Sequence, residues 1–317
     1  MVLTLAAMNR DDFARRRGPL VAGYATAIAS ARRLPMAAAV TEAERSVTEK
    51  VPRGPATPGQ LMRKAVAGGA EVGWIWVTLP EPTRPTMAWL TDVEVDPEHR
   101  SRGYACAIIE AVEAELTGLG VPRLGLNVFG DNETALRLYD RLGFQVTAQQ
   151  RSRLLAEVPA SDGIELIPMI DYAARIEALF ADYAHDLIQE EGLWHGEAED
   201  RAARKLAELL PHGPQTEGMI LRTAVAEGKP VGWVWAEGTT PARPGLGWLH
   251  SIDIDEGHRS RGYGRAVIAA IEAELAGRGV PSLGLNVHGY NVGAQRLYER
   301  LGYELQAQQM VKELPTT

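Results

Sequence analysis

The chain repeats itself at half its length. HRSRGY occurs at His99 and again at His258, LGLNV begins at Leu124 and Leu283, and RLY ends at Tyr139 and Tyr298, each pair 159 residues apart. Aligned without gaps, residues 89–144 match residues 248–303 at 34 of 56 positions. Solenoid units repeat every ~20–50 residues, so this period marks a duplicated domain. With 317 residues, each copy has enough chain to bury its own core. Each copy closes on a similar stretch, TAQQRSRLL (147–155) and QAQQMVKEL (306–314), and EVPASDG (157–163) reads as a linker of turn formers. The expected division is therefore 1–156, a linker at 157–163, and 164–317.

Composition narrows the class without choosing a function. The 45% hydrophobic and 23% charged residues are ordinary for a globular chain. A formal net charge of -8 disfavours nucleic acid and anionic membrane as partners, and no apolar run is long enough to span a bilayer. The single cysteine, Cys106, excludes an internal disulfide and any Cys-rich metal centre, and His185, His195, His212 and His288 form no ligand spacing, so no metal is expected. VLTLAAM is followed, not preceded, by Arg10, Arg15, Arg16 and Arg17, the wrong order for a signal peptide. The reading is a cytoplasmic monomer or homodimer.

Each copy reads as mixed α/β. A first strand (3–8; 164–169) leads into a helical region, and Pro/Gly-rich loops (52–59; 211–218) precede a strand ending VGWIW or VGWVW. The tandem tryptophans Trp74/Trp76 and Trp233/Trp235 alternate along that strand and are read as sheet packing. A further strand, WL…VEVD or WL…IDID, runs into the RSRGY segment. There a helix opens with Ile108, Ile109, Val112 and Leu116 on one face, matched by Val267, Ile268, Ile271 and Leu275. After the LGLNV strand, a last helix carries Leu138 and Tyr139 (Leu297 and Tyr298) and stops at Gly143 or Gly302.

Chemistry is concentrated at the strand-to-helix junction. Arg100-Ser101-Arg102-Gly103-Tyr104-Ala105 and Arg259-Ser260-Arg261-Gly262-Tyr263-Gly264 each follow a strand and open a helix. A helix N-terminus presents unpaired N–H groups and partial positive charge to an anion, glycine allows close backbone approach, and arginines add donors. Such a loop suits a pyrophosphate.

The order strand, R-x-x-G-x-G/A, helix, L-x-L-N-V, then N-x-x-A-x-x-L-Y-x-x-x-G-F/Y resembles the GCN5-related N-acetyltransferase (GNAT) superfamily over both halves. The last element is Asn132, Ala135, Leu138, Tyr139, Gly143 and Phe144, and again Asn291, Ala294, Leu297, Tyr298, Gly302 and Tyr303. The resemblance implies two tandem α/β (α+β) domains. Each is a twisted, mostly antiparallel sheet flanked by helices, whose splayed fourth and fifth strands admit the pantetheine arm of acetyl-CoA. It implies main-chain pairing of Val93–Val95 and Ile252–Ile254 with that arm. It implies pyrophosphate held by Arg100, Arg102, Gly103, Tyr104 and Ala105, and by Arg259, Arg261, Gly262, Tyr263 and Gly264. Arg265 adds a phosphate contact where the first copy has Cys106, and Asn132 and Asn291 contact the arm. By these residues the second copy is the better cofactor match.

Acetyl transfer to an amine needs a neutral nucleophile and a proton for the departing thiolate. Tyr139 and Tyr298, phenols with an ordinary pKa of ~10, are the candidate acids. Within the resemblance, bases come from the fourth strand, which offers Asp92 or Glu94 in the first copy and His250 or Asp253 in the second. Asn127 and Asn286 can orient a substrate but take no proton. Acidic residues Glu190, Glu191, Glu197, Glu199 and Asp200 could wall a site for a cationic amine. The expected activity is acetyl-CoA-dependent N-acetylation of a small-molecule primary amine. A mycothiol synthase-like tandem enzyme is one alternative, and one half serving as a non-catalytic acyl-CoA-binding or structural module is another.

Overall fold

A computed structural model describes residues 3–32, 34–82, 84–155, 163–191, 193–241 and 243–315. Of the expected linker only Gly163 lies within the described residues. The chain forms two compact units, residues 1–147 with 307–317, and residues 148–306. These units are not the two contiguous halves that the repeat implies, because each takes its closing strand from the other half of the sequence.

The first unit contains β1 (Leu3–Ala7), α1 (Arg10–Arg32), α2 (Met36–Lys50), β2 (Gln60–Ala67), β3 (Ala70–Thr78), β4 (Met87–Val95), α3 (Tyr104–Gly118), β5 (Arg123–Phe129) and α4 (Glu133–Arg141). The second contains most of β6 (Gln145–Leu154), then β7 (Glu165–Pro168), α5 (Tyr172–Glu191), α6 (His195–Leu209), β8 (Met219–Ala226), β9 (Lys229–Glu237), β10 (Gly247–Ile254), α7 (Tyr263–Gly277), β11 (Ser282–His288) and α8 (Val292–Arg300). Most of β12 (Glu304–Glu313) returns to the first unit.

In the first unit the strand order is β1-β2-β3-β4-β5-β12, and in the second β7-β8-β9-β10-β11-β6. Each sheet has one parallel pair, β4 with β5 and β10 with β11. β12 closes the first sheet against β5 from Ala307↔Phe129 to Glu313↔Arg123, and β6 closes the second against β11 from Ser282↔Leu154 to His288↔Ala148. Side chains lock each closing strand in place. Lys312 meets Glu113 of α3 at 2.7 Å, and Arg153 meets Glu272 of α7 at 3.4 Å. The paired positions 151 and 310 differ: Met310 joins the apolar core of the first unit, whereas buried Arg151 donates to Gln149, to the Tyr303 carbonyl and to Glu299.

Strand alternation divides each core into two layers. In the first unit Trp74 and Trp76 are fully buried with α1 and α2, while Ile75 and Val77 pack with α3 and α4 on the opposite face. The tryptophans are thus packing residues. The expected helix faces, Ile108 to Leu116 and Val267 to Leu275, are buried without remainder.

Between β4 and β5 pairing runs from Met87↔Arg123 to Leu90↔Leu126 and stops there; between β10 and β11 it ends at Leu249↔Leu285. A bulge follows at once, at Thr91 and at His250, where the register against β3 and β9 shifts. The two strands part beyond this point, as the resemblance implies. The unpaired edge of 91–95 faces a gap.

Candidate active site

In the first unit the gap opens into a cavity of about 740 Å³, within the usual size of small-molecule sites. Gly23, Tyr24 and Ala27 of α1, Lys50 at the end of α2, 89–95 of β4, Asn127–Phe129 of β5, and α4 through Tyr139 form its walls. Gly125 of β5 leaves room for the Trp89 ring in the cavity wall, since a Cβ there would meet that ring at 2.9 Å.

The loop at one end is built from main chain. Ser101 and Gly103 adopt φ of 60° and 81°, and Ser260 and Gly262 adopt 62° and 85°. Left-handed residues of this kind suit the backbone of an anion nest, and Gly103 and Gly262 stand at the N-termini of 15-residue helices. The loop therefore fits a pyrophosphate in both units. Serine at positive φ is an unfavourable choice that sequence inspection overlooked. Arg102, Arg261 and Arg265 are exposed and make no ion pair among the described residues.

Arg100 and Arg259 are placed otherwise. Arg100 donates through Nε to the Val95 carbonyl at 3.1 Å, and Arg259 to the Ile254 carbonyl at 2.8 Å. They bind the ends of their own strands and take up carbonyls that the resemblance assigns to pantetheine. Asn132 and Asn291 also do local work, since Oδ1 of each caps the following helix by accepting the amide of Ala135 or Ala294. Asn132 also lines the cleft. Ala105 lines the cleft, and at Gly264 a Cβ would touch only Leu297 at 3.6 Å and Ile254 at 4.0 Å, so the alanine of the first copy fits without strain.

Asp92, Tyr139 and Tyr24 converge at the floor of the cleft. Loss of hydration pushes the Asp92 carboxyl up to about 7, the charge of Glu94 adds to this, and the Val93 amide opposes it. The same burial and the Asp92 charge raise the Tyr139 phenol well above 10. Tyr139 is also a core residue, packed edge-on against Phe144 at 5.5 Å. Tyr24 was missed by the sequence reading. Its hydroxyl donates to the Thr91 carbonyl at the bulge, 2.8 Å away, and burial and Asp92 raise its pKa too. Its counterpart Tyr183 lies at the same offset of 159, a signal available in the sequence.

Glu94 is occupied. It accepts from the Trp74 indole at 3.2 Å and lies 3.9 Å from both Arg16 and Arg100. Arg16 also binds Glu71 and Asp96, fastening α1 to the end of β4, as Arg175 fastens α5 to Asp255 at 2.7 Å.

The second unit holds its candidates differently. Ser251 stands in the place of Asp92, so no carboxylate is present there. His250 stacks on Trp235 with ring centroids 4.4 Å apart, and its Nε2 lies 3.3 Å from Glu237, which also binds Arg243. Burial lowers the His250 pKa in spite of Glu237. Asp253 is half exposed and bound to Arg259 at 3.2 Å. Tyr298 packs edge-on against Tyr303, and burial pushes its phenol up to about 12. Of the acidic run, Glu199 lies 3.4 Å from exposed His195, and the side chains of Glu190 and Glu191 fall outside the described residues. No group of His, Cys, Asp and Glu among the described residues could hold a metal ion, and no described helix is long and apolar enough to cross a membrane.

Comparison with known proteins agrees with this geometry. The family model described as the acetyltransferase (GNAT) family matches residues 37–144 and 177–303. The uncharacterised N-acetyltransferase YycN of Bacillus subtilis is 33% identical over 110 residues, 34% of this chain and 70% of that protein. The mycothiol acetyltransferase of Streptomyces coelicolor is 28% identical over 281 residues, 84% of each chain. A GCN5-related N-acetyltransferase from Sphaerobacter thermophilus has the same fold, with a TM-score of 0.54 at 19% identity over 99% of this chain and 97% of that one. The chain belongs to the acetyltransferase (GNAT) family, whose members use acetyl-CoA, and is an acyltransferase with two such domains in tandem.

Proposed function

We propose that the chain transfers the acetyl group of acetyl-CoA to a primary amine of a small molecule, and that the first unit performs the transfer. The observation that carries this reading is Asp92, a carboxylate in the cleft wall with its pKa pushed up to about 7. A free amine with an ordinary pKa well above 7 arrives as ammonium, and a base that titrates near neutrality is matched to accept its proton. The acetyl carbon then gains a C–N bond and loses its C–S bond. Tyr139 holds its own proton at neutral pH and serves as hydrogen-bond donor to the departing sulfur. The proton that Asp92 took from the ammonium passes to the thiolate, downhill because a thiol's pKa is ~8.5, and the freed carboxylate takes the N–H proton of the adduct and releases it to solvent. This makes Tyr139 a stabilising donor more than a source of the proton.

In the second unit Gly262, Gly264, Arg261 and Arg265 support acetyl-CoA binding, while Ser251 leaves the transfer without a base. That unit fits a non-catalytic acyl-CoA-binding module, with His250 and Asp253 serving its packing and surface. A second reading rests on the mycothiol acetyltransferases, which match this chain over most of its length. On that reading the acceptor is a mycothiol precursor amine.

The test is CoA release from the intact chain with a panel of amines that includes a mycothiol precursor. Asp92→Asn is expected to lose turnover by ~10²–10⁴-fold while keeping acetyl-CoA binding. Undiminished turnover in that variant overturns the assignment to the first unit.

A further inference from the structure

The end of the cleft away from the phosphate loop carries a cation that the transfer reaction does not need. Lys50, the last residue of α2, lines the cleft together with Trp89, Tyr24 and Asp92. It makes no ion pair or hydrogen bond among the described residues. Beside it, Arg84 is held by Glu81 at 2.8 Å and lies over the Trp89 ring, 4.7 Å from its centroid. Lys50 remains open to solvent at the cleft mouth. The surrounding protein nevertheless strips part of its hydration, and Arg84 adds like charge that outweighs the nearby carboxylate of Glu81, so its pKa lies below the ordinary lysine value. An ammonium partly stripped of water, with no ion pair or hydrogen bond of its own, gains from an anion brought to it.

Position 209, the counterpart of Lys50 in the second unit, is leucine. There Arg243 is bound to Glu237 beside His250, and Lys205 lies one turn earlier on α6. The unpaired cleft cation thus belongs to the unit that also keeps Asp92. One cleft sets a negative group at its floor and a positive group at its mouth.

We propose that the acceptor amine carries an anionic group, a carboxylate in the simplest case, and that Lys50 binds it while the amine faces Asp92. This rests on the reading of the first unit as an N-acetyltransferase and narrows its substrate class to molecules with separated positive and negative ends. The purely cationic amine considered from the sequence is then disfavoured.

The test uses the full chain with acetyl-CoA and pairs of aminoalkanoic acids and their amides, with aminoalkylphosphonates as a third arm. The wild type is expected to prefer acid over amide by about five- to tenfold in kcat/KM. Lys50→Met is expected to erase that preference through KM with kcat unchanged, and Lys50→Arg to keep it. The phosphonate arm decides which anion fits best. Equal use of acid and amide by the wild type, a preference that survives Lys50→Met, or turnover of polyamines alone overturns the proposal. If acetyl-CoA binds but no amine is acetylated, the N-acetyltransferase reading fails by itself. Calorimetry of the same pairs on the CoA complex of wild type and Lys50→Met then decides the role of Lys50, and equal binding of acid and amide overturns it.

Discussion

The two units keep the same loop and diverge around the same strand. Thr78, Thr91 and Gln60 of the first unit form an uncharged group, with Gln60 accepting from the Trp76 indole at 2.6 Å and from Thr78 at 3.0 Å, and Thr78 3.2 Å from Thr91. Their counterparts are Glu237, His250 and Met219. Glu237 and His250 join Arg243 in a charged cluster that satisfies itself, and the Trp235 indole is left with the Met219 sulfur at 3.4 Å. The first arrangement leaves Asp92 in the cleft next to two tyrosines, and the second has Ser251 there. Binding of a pyrophosphate by backbone amides tolerates changes in side chains, whereas acid–base chemistry does not.

The comparison breaks most easily at position 92. Ser251→Ala and His250→Ala are expected to change turnover less than about twofold, against the ~10²-fold or greater loss for Asp92→Asn. A comparable loss from either second-unit variant would show that both units react. The next contrast is in the loops. Gly103→Glu and Gly262→Glu each force a side chain into a left-handed backbone and set a carboxylate against phosphate. Calorimetry is expected to show each variant losing one of two acetyl-CoA sites, with turnover abolished only by Gly103→Glu.

A smaller difference is expected at the tyrosines. Tyr139→Phe should lower kcat by about tenfold, and Tyr298→Phe should leave it within twofold, in assays of CoA release. The pH profile sharpens this further. In the proposed role Asp92 works deprotonated, so kcat/KM is expected to rise with pH through about 7, and this limb should disappear in Asp92→Asn. The same shift has a stability cost of opposite sense. A carboxyl whose folded pKa lies above its unfolded one favours folding below the unfolded pKa, near 4, and loses that contribution as pH rises through 7. Asp92→Asn should therefore melt higher than wild type at pH 8, by a few degrees, and nearly equal to it at pH 4. Thermal melts at the two pH values check the sign.

Much of this was open to inspection in the chain itself. The alternating tryptophans, the apolar stripes of the two loop helices and the glycines of the phosphate loop follow from local rules of period, sterics and backbone freedom, and both copies state them independently. Tyr24 was equally present at the offset of 159 but sits on a helix whose Pro19, Gly18 and Gly23 blur its periodicity. The choice between Asp92 and Glu94 was not available from sequence. The two residues share one face of β4, and only their neighbours separate them. Trp74, Arg16 and Arg100 surround Glu94, while Asp92 meets two phenols and the gap between β4 and β5.

The duplication, the order of elements in each copy and the arginine- and glycine-bearing loop were legible in the sequence alone, since each is written in short local patterns. Tertiary structure decided which strand closes which sheet. The backbone edge of β5 or β11 accepts TAQQ or QAQQ alike, and the choice is made by packing, with Met310 entering an apolar core and Arg151 requiring Glu299, Gln149 and the Tyr303 carbonyl. Tertiary structure also decided the raised pKa of Asp92 and the placing of Lys50 in the same cleft. Hydration and Coulomb fields depend on what surrounds a group in space, and its neighbours in sequence do not specify that surrounding.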